Sequence, residues 1–526
     1  MNRLPHNIAD TSSDRNPSIR LFGRRFSDDW QPMNTLAELL LVAASEKQIQ
    51  SDSSTTATRD FFPDTAELDR LRQNATGLIY YPKAHLNLKL FAFFGASALA
   101  TRHRVHQEHA RELRRLLGAC IDTPPGMKAD DILQNLSILF LGFLGNGAGR
   151  TWCAQTFLPF TRTLLCREAI WVKKGASHLR DDEWIAAVQS NIDYSKHEIY
   201  DRSGESLYLQ LCNAFSRTPA EITSWLSEEN GVKQSLLADE ANPSVLKRLL
   251  SDALQCFLNS APCGLSSILE FVDTGVDVET AEASDGHEDN PRKAECGWVP
   301  EETWKEGYLF AVETKRLLSA NLDPMEKLDL FEAACSLQIL RTLVRQARRH
   351  YVASGSGLQL LLCDAYGSSL RLKARSSQSL QEIAKTLKLA IRIPEIRNAV
   401  LAIEQRRRPG NEESELSKDY REGDAYGVGL YRKIGKSLGL IVPPHGRGAT
   451  KATLNGRLLR CLVLTLVPEK RATLASFKAR VEAHHGFIFD PDGRNGGDAW
   501  LEQLLEAAGM LVRLSDACSL VQNPFV

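Results

Sequence analysis

The chain has 526 residues, 43% of them hydrophobic, which is enough for roughly two to four domains with real cores. Its 64 basic and 65 acidic residues nearly cancel, excluding a global field that would draw it onto nucleic acid or membrane. Any affinity for polyanions must therefore come from local patches.

Eleven cysteines (Cys120, Cys153, Cys166, Cys212, Cys256, Cys263, Cys296, Cys335, Cys363, Cys461 and Cys518) are dispersed without a CxxC pair. That usage suits reduced thiols in a cytosol, not a disulfide framework or a zinc knuckle. The opening "MNRLPHNIADTSSDRNPSIR" has no apolar core and does not read as a signal peptide. The most apolar run, "ILQNLSILFLGFLGNGAG", is interrupted by Gln134, Asn135 and glycines, and is too short to span a bilayer. The expectation is a soluble, bacterial-type cytoplasmic protein.

Residues 1–32 are polar apart from "RLFGRRFSDDW", and "MNTLAELLLVAASE" (33–46) has helical apolar spacing, with Asn34 or Thr35 as N-cap. "SDSSTTATRD" (51–60) reads as a flexible connection. From 64 to 272 the pattern is mainly helical, with helices expected at 65–74, 86–118, 129–145, 153–171, 182–192 and 243–260 and a strand at "LIYYP" (78–82). "DTGVDVETAEASDGHEDNP" (273–291) is acidic and aperiodic, reading as a disordered linker or exposed loop. Helices follow near 301–319, 324–351 and 379–405, and then the polar break "EQRRRPGNEESE" (404–415).

The C-terminal segment alternates apolar helices with short β-like runs. A first helix runs from Leu454 to Val467, "RAT" (471–473) offers a strand, and Thr473 can cap a second helix carrying Leu474, Phe477 and Val481. Asp498 can cap a third helix, with Trp500, Leu501, Leu504 and Leu505 inward, and "MLVRL" with "CSLVQ" form a hairpin. The order helix, strand, helix, helix, wing is that of a winged helix. The fold class expected is mainly α and multi-domain, with a small α+β winged-helix-like C-terminal module. Its expected parts are an N-terminal arm and first helix (1–63), a helical domain (64–272), an acidic linker (273–298), a helical domain with a basic stripe (299–410) and the winged-helix-like region (411–526).

Winged-helix shape does not imply DNA binding. Across 471–526 there are five basic and seven acidic residues, and the third helix carries Glu502 and Glu506, which would oppose phosphates. Upstream the balance inverts. Residues 425–460 hold no Asp or Glu but seven basic residues: Arg432, Lys433, Lys436, Arg447, Lys451, Arg457 and Arg460. The pattern there suggests a basic helix ended at Gly439, a strand and a Gly-rich loop holding Arg447, which can lie along a DNA backbone. The bland alternative is a solvated basic face. A second stripe, Arg341, Arg345, Arg348 and Arg349, lies at helical spacing opposite Leu337, Leu340, Leu343 and Val344. It could contact phosphates or pair with acidic residues elsewhere, the commoner use of surface arginine.

Three enzyme-like signals fail on chemistry. "GNGAGRT" (145–151) has three residues between Gly145 and Gly149 where a phosphate loop needs four, and Arg150 replaces the lysine. His103, His106 and His109 diverge around a helix and sit beside Arg102, Arg104 and Arg111, which disfavour a cation. "HEIYDRSGESLY" (197–208) gathers His197, Glu198, Asp201 and Glu205 without nuclease spacing. No catalytic set, metal site or cofactor site is expected.

"RLFGRRFSDDWQPMNTLAELLLVA", "GAGRTWCAQTFLP" (147–159), "SGESLYLQL" (203–211) and "LVRLSDACSLVQNPF" together resemble helicase-associated accessory subunits of bacterial anti-phage defence islands, of the Druantia-like or methylation-associated kind. The resemblance implies a subunit acting beside separately encoded helicases, ATPases or nucleases, and it assigns no functional residue. The reading is a non-catalytic adaptor of a defence complex, touching DNA through the basic patches and partners through the wing. The alternatives are a nuclease or other enzyme built from non-contiguous carboxylates, and a pure protein-binding scaffold.

Overall fold

The computed structural model describes residues 16–23, 30, 32–49, 57–58, 60–73, 78–81, 203–259, 294–296, 299–351, 359–364, 370–407, 410–443, 450–489, 499–515 and 518–526. In chain order the described helices begin with α1 (Pro17–Phe22), α2 (Pro32–Ala44), α3 (Thr65–Gln73), α4 (Ser203–Phe215) and α5 (Pro219–Glu228). Next come α6 (Asn230–Lys233), α7 (Pro243–Asn259), α8 (Trp304–Ser319), α9 (Pro324–Tyr351), α10 (Leu370–Ala390) and α11 (Pro394–Arg407). The last are α12 (Glu412–Asp424), α13 (Leu430–Ser437), α14 (Gly456–Leu466), α15 (Leu474–His485) and α16 (Ala499–Ala507). Strands are short: β1 (Glu46–Ile49), β2 (Ala57–Thr58), β3 (Leu78–Tyr81), β4 (Ala294–Glu295), β5 (Leu361–Cys363), β6 (Ile441–Val442) and β7 (Lys451–Ala452). The series ends with β8 (Arg471–Thr473), β9 (Phe487–Phe489), β10 (Leu511–Ser515) and β11 (Cys518–Gln522).

The described residues are thus mainly helical with a few small sheets, and no described helix is long and apolar enough to cross a membrane. The helices expected between 86 and 192, the acidic stretch 273–291 and the cap Asp498 lie outside the described residues.

Many helices open on proline, where the missing N–H would be unpaired anyway and φ is already helical. Asn16 caps α1, its Oδ1 accepting from Ser18 N–H at 2.9 Å. Thr218 and Glu221 form a reciprocal capping box on α5. Proline also corrects one expectation. The single helix read at 379–405 is two, α10 and α11, because Pro394 offers no N–H and pushes Ile393 out of the helical region. The polar break is shorter than expected too, since Glu412 already belongs to α12.

The contacts group the chain into two units, one of Met1–Ile79, Tyr200–Leu258 and Glu295–Val526, the other of Tyr80–Ile199 and Asn259–Ala294. The boundaries read at 63/64 and 410/411 do not separate these units. Within the first unit, α1 packs on α9, α11 and α12, and α2 packs on α4 and α9. Apolar residues of the N-terminal helices (Leu21, Phe22, Leu36, Leu39, Leu40) are buried, and that burial ties the arm to helices far along the chain.

Two glycines let backbones touch. A Cβ on Gly204 of α4 would overlap the main chain of Thr35 and Leu39 on α2, and one on Gly307 of α8 would overlap Gln210 of α4. The crossing is sealed by polar contacts, Gly204 N–H donating to Glu38 Oε2 at 2.8 Å and Thr35 Oγ1 lying 2.5 Å from Ser203 Oγ. Beside it Phe62 stacks on Tyr208 with ring centroids 5.6 Å apart.

Helix α9 is the central rod, buried from Leu330 to Leu343 and flanked by α8, α10 and α14. Two sheets lie near the C-terminus. One has the order β10-β11-β8, antiparallel throughout; the other, β6-β7-β5-β9, sets β5 parallel to both neighbours. Strand β9 was not expected from the sequence. It follows α15 directly and binds that helix to β5, with Leu361 N–H donating to Gly486 O at 2.8 Å.

Gly204→Ala should lower unfolding stability by about 1–3 kcal/mol or more, because the added methyl meets backbone that cannot move aside. Gly456→Ala, whose Cβ meets nothing within 4 Å, should change it by less than about 0.5 kcal/mol. Urea titration of both variants checks this; equal losses would contradict the close-crossing account.

Candidate functional site

Helix α8 carries Glu306, Glu313 and Arg316 on one side, and α9 answers with Gln338, Arg341, Arg345 and Arg349. The end of α15 adds His484 and His485. The turn after α6 adds Ser235.

At the centre Arg341 grips Glu313 with both nitrogens, Nη1 to Oε1 at 2.6 Å and Nη2 to Oε2 at 3.0 Å. His484 Nδ1 lies 2.8 Å from the same Oε1, and its Nε2 lies 2.7 Å from Ser235 Oγ. Arg341 Nε also donates to Gln338 Oε1 at 2.8 Å, and Gln338 passes the chain to Gln210 of α4. Burial alone would raise the Glu313 carboxyl, but Arg341 and the two imidazoles outweigh it and hold it well below the usual carboxylate range. Burial pushes both histidines the other way, His485 to about 3, with Glu313 opposing incompletely. Arg341 already neutralises Glu313, so neither imidazole is drawn to a proton.

A neutral His484 has one N–H. Donated to Glu313, it leaves Nε2 to accept from the Ser235 hydroxyl. Serine, imidazole and carboxylate then stand in the order of an acyl-transfer relay. Access decides against that use. Ser235 is 1% exposed and His484 is 0% exposed, and the hydroxyl also lies 2.6 Å from Val232 O. The relay works here as a clasp between α8, α9, α15 and the turn after α6. Arg316 doubles it, gripping Glu240 and donating to Ser235 O at 2.6 Å and Thr465 O at 2.8 Å.

Three arginines of the expected stripe, Arg341, Arg345 and Arg349, therefore turn toward α8. Arg341 is buried on Glu313; Arg345 donates to Ala483 O at 2.7 Å and lies 3.5 Å from Glu306. Arg349 pairs with Glu306 at 2.5 Å, and Arg348 is half-buried. Three of the four arginines are thus engaged by carboxylates of α8. Those carboxylates sit well before the stripe in the chain, where local spacing could not reveal them.

The acid-free segment divides. Lys451 is buried against Asp364 at 3.0 Å, Arg457 bonds Asp329 and Glu332, and Arg460 pairs with Glu326. Arg447 lies outside the described residues. On α13, Leu430, Tyr431 and Ile434 face inward while Arg432 is exposed and Lys433 and Lys436 are half-buried. These three stay at the surface.

Two features escaped the sequence reading. Residues 365–381 form another acid-free run, holding Arg371, Lys373 and Arg375, and the small sheet joins it to the 425–460 segment: Ala452 N–H donates to Ser376 Oγ at 2.9 Å. The other is Lys47, whose buried Nζ donates to the carbonyls of Ala43, Ser45 and Asp60 at 2.8, 2.6 and 2.9 Å; burial lowers it to about 8. No spacing signalled a lysine in a carbonyl cage.

Among the described residues no group of three or more His, Cys, Asp or Glu is placed to hold a metal. The three histidines at 103–109 and the glycine loop at 145–151 lie outside them. No family model matches the chain, and no curated protein or solved structure is similar to it.

Arg341→Met would strand a buried carboxylate and should cost about 3–5 kcal/mol, read by denaturant titration. A loss under about 1 kcal/mol would show that the pair is not the clasp.

Stability should also depend on pH. Both histidines have folded pKa values below 6.5, so the unfolded chain binds more protons. Their contribution is full above about pH 6.5 and is lost as pH falls. Glu313, depressed from 4.5, contributes fully above that value and loses it further down, so the two signs agree. The histidine contribution to stability should be flat above about pH 7 and then fall, each suppressed imidazole giving a slope of up to about 1.4 kcal/mol per pH unit, read from melting temperature. His485→Phe should reduce that slope; a profile flat to about pH 5 would overturn the assignment.

Proposed function

We propose that this chain is a non-catalytic adaptor of a larger assembly, touching DNA through its 425–460 segment and a partner protein through its C-terminal elements. The observation that carries the reading is α13. Its apolar side is buried, and Arg432 faces out from a segment whose own sequence holds no carboxylate, which favours phosphate contact. The closed serine–histidine–glutamate relay supports a structural role for the one triad-like set among the described residues. The resemblance to accessory subunits of anti-phage defence islands suggests the setting, beside a separately encoded helicase, ATPase or nuclease.

The C-terminal elements are read as winged-helix-like, with α16 as third helix and β10–β11 as wing. Glu506 is exposed and Glu502 half-buried on α16, and Arg513 of the hairpin turns back to Glu506 at 3.0 Å. A face of that sign suits a protein partner better than a DNA groove. A pure protein-binding scaffold is the second reading, favoured by the turn of three α9 arginines toward α8.

Arg432→Glu with Lys436→Glu should weaken duplex DNA binding on the order of tenfold and flatten its salt dependence by roughly 1.8 in log–log slope, two contacts at about 0.9 each. Glu502→Ala with Glu506→Ala should leave DNA binding unchanged or slightly stronger. Fluorescence anisotropy across a salt series reads both. If the α16 variant alone loses DNA, the assignment of the two faces is reversed. If the unmodified chain binds no DNA, the scaffold reading holds.

A further inference from the structure

Helix α10 buries Leu380, Ile383, Leu387 and Ala390, and it packs on α9. Its exposed positions step by three and four along the opposite side, through Arg371, Ala374, Gln378, Gln381 with Glu382, Lys385 and Lys388, and Lys373 flanks them. The cations gather at the two ends. The middle has two uncharged amides and the only carboxylate of the stripe. Among the described residues, Arg371, Lys373 and Lys385 make no ion pair, and Lys388 has only Asp424 at 3.9 Å.

The geometry points to α10 as a groove-spanning contact for duplex DNA, with Arg371 and Lys373 on the phosphates of one strand and Lys385 and Lys388 on those of the other. This rests on the DNA-contacting reading above and adds a surface that reading does not contain. Twelve residues of helix separate Lys373 from Lys385, a rise of ~18 Å at ~1.5 Å each. A major groove ~12 Å wide, plus the phosphates on its two rims, fits between flexible cationic side chains at that separation. The centre of the stripe then lies over the groove, where Glu382 faces no phosphate and Gln378 and Gln381 can meet base edges or water. A single strand would instead present phosphates continuously along the stripe and bring one against Glu382. The acid-free start of α10 is fixed to β7 through Ser376, whose Oγ accepts from Ala452 N–H.

The test uses the full chain, a short labelled duplex and the corresponding single strand, read by anisotropy across a salt series. Arg371→Gln with Lys373→Gln, and separately Lys385→Gln with Lys388→Gln, should each weaken duplex binding on the order of tenfold. Each should also flatten the salt slope by roughly 1.8. Lys385→Arg with Lys388→Arg should bind as the parent does, and unchanged melting temperatures show that these exposed substitutions leave the fold intact. The parent should hold the duplex more tightly than the single strand. Tighter single-strand binding overturns the groove-spanning arrangement. If both α10 variants bind like the parent while Arg432→Glu with Lys436→Glu fails, α10 is a solvated face and this inference falls while the DNA reading stands. A parent that binds no duplex removes both.

Discussion

One carboxylate, that of Glu313, fixes where four separate stretches of this chain meet. It is buried, so it must be matched by charge and hydrogen bonds, and the groups that match it come from α9 and from the end of α15, with Ser235 one step beyond. Such a pair adds little net stability over a well-packed apolar core, because desolvation offsets most of the attraction. Its effect is on uniqueness. Any packing that moves α15 away from α8 leaves the buried His484 imidazole without its Glu313 partner and removes one of the hydrogen bonds the carboxylate accepts, a larger cost than the pair's own net gain.

The same rule explains how the protein handles its other interior charges. Glu306 is shared by Arg345 and Arg349, and Glu240 is held by Arg316 with Lys315 at 3.5 Å. Lys47 takes a different solution. Its three N–H bonds go to three carbonyls, two of them at the end of α2, where the helix dipole favours a cation. Arg316, Arg341 and Lys47 are thus held in a manner that also ties one segment to another.

Among the described residues, α10 and α13 carry cations at the surface, and α16 carries Glu502 and Glu506. The central helix positions the first two: α10 and α13 both pack on α9, on which Arg341 is buried and Arg345 and Arg349 are engaged by Glu306. Surface face and structural clasp therefore use the same residue types in adjacent helices. Only the direction a helix face points separates the two roles.

Part of the local structure was legible in the sequence because local rules govern it. Helix starts at proline and capping residues, the hairpin at β10–β11 and the Gly439 turn follow from backbone geometry within a few residues. The split between α10 and α11 was legible at Pro394 and was missed. Charge roles were not local. Arg341 and Arg432 both lie on helices in acid-poor stretches, yet one is buried on Glu313 and the other is exposed. The sequence by itself determined the longer amphipathic helices and which stretches lack acidic residues, since those depend on composition and short-range sterics, while α1, α4, α5 and α12 were not read from it. Only the tertiary structure decided which basic face meets solvent, because the carboxylates that claim the other face arrive from distant helices, and burial makes their charge decisive.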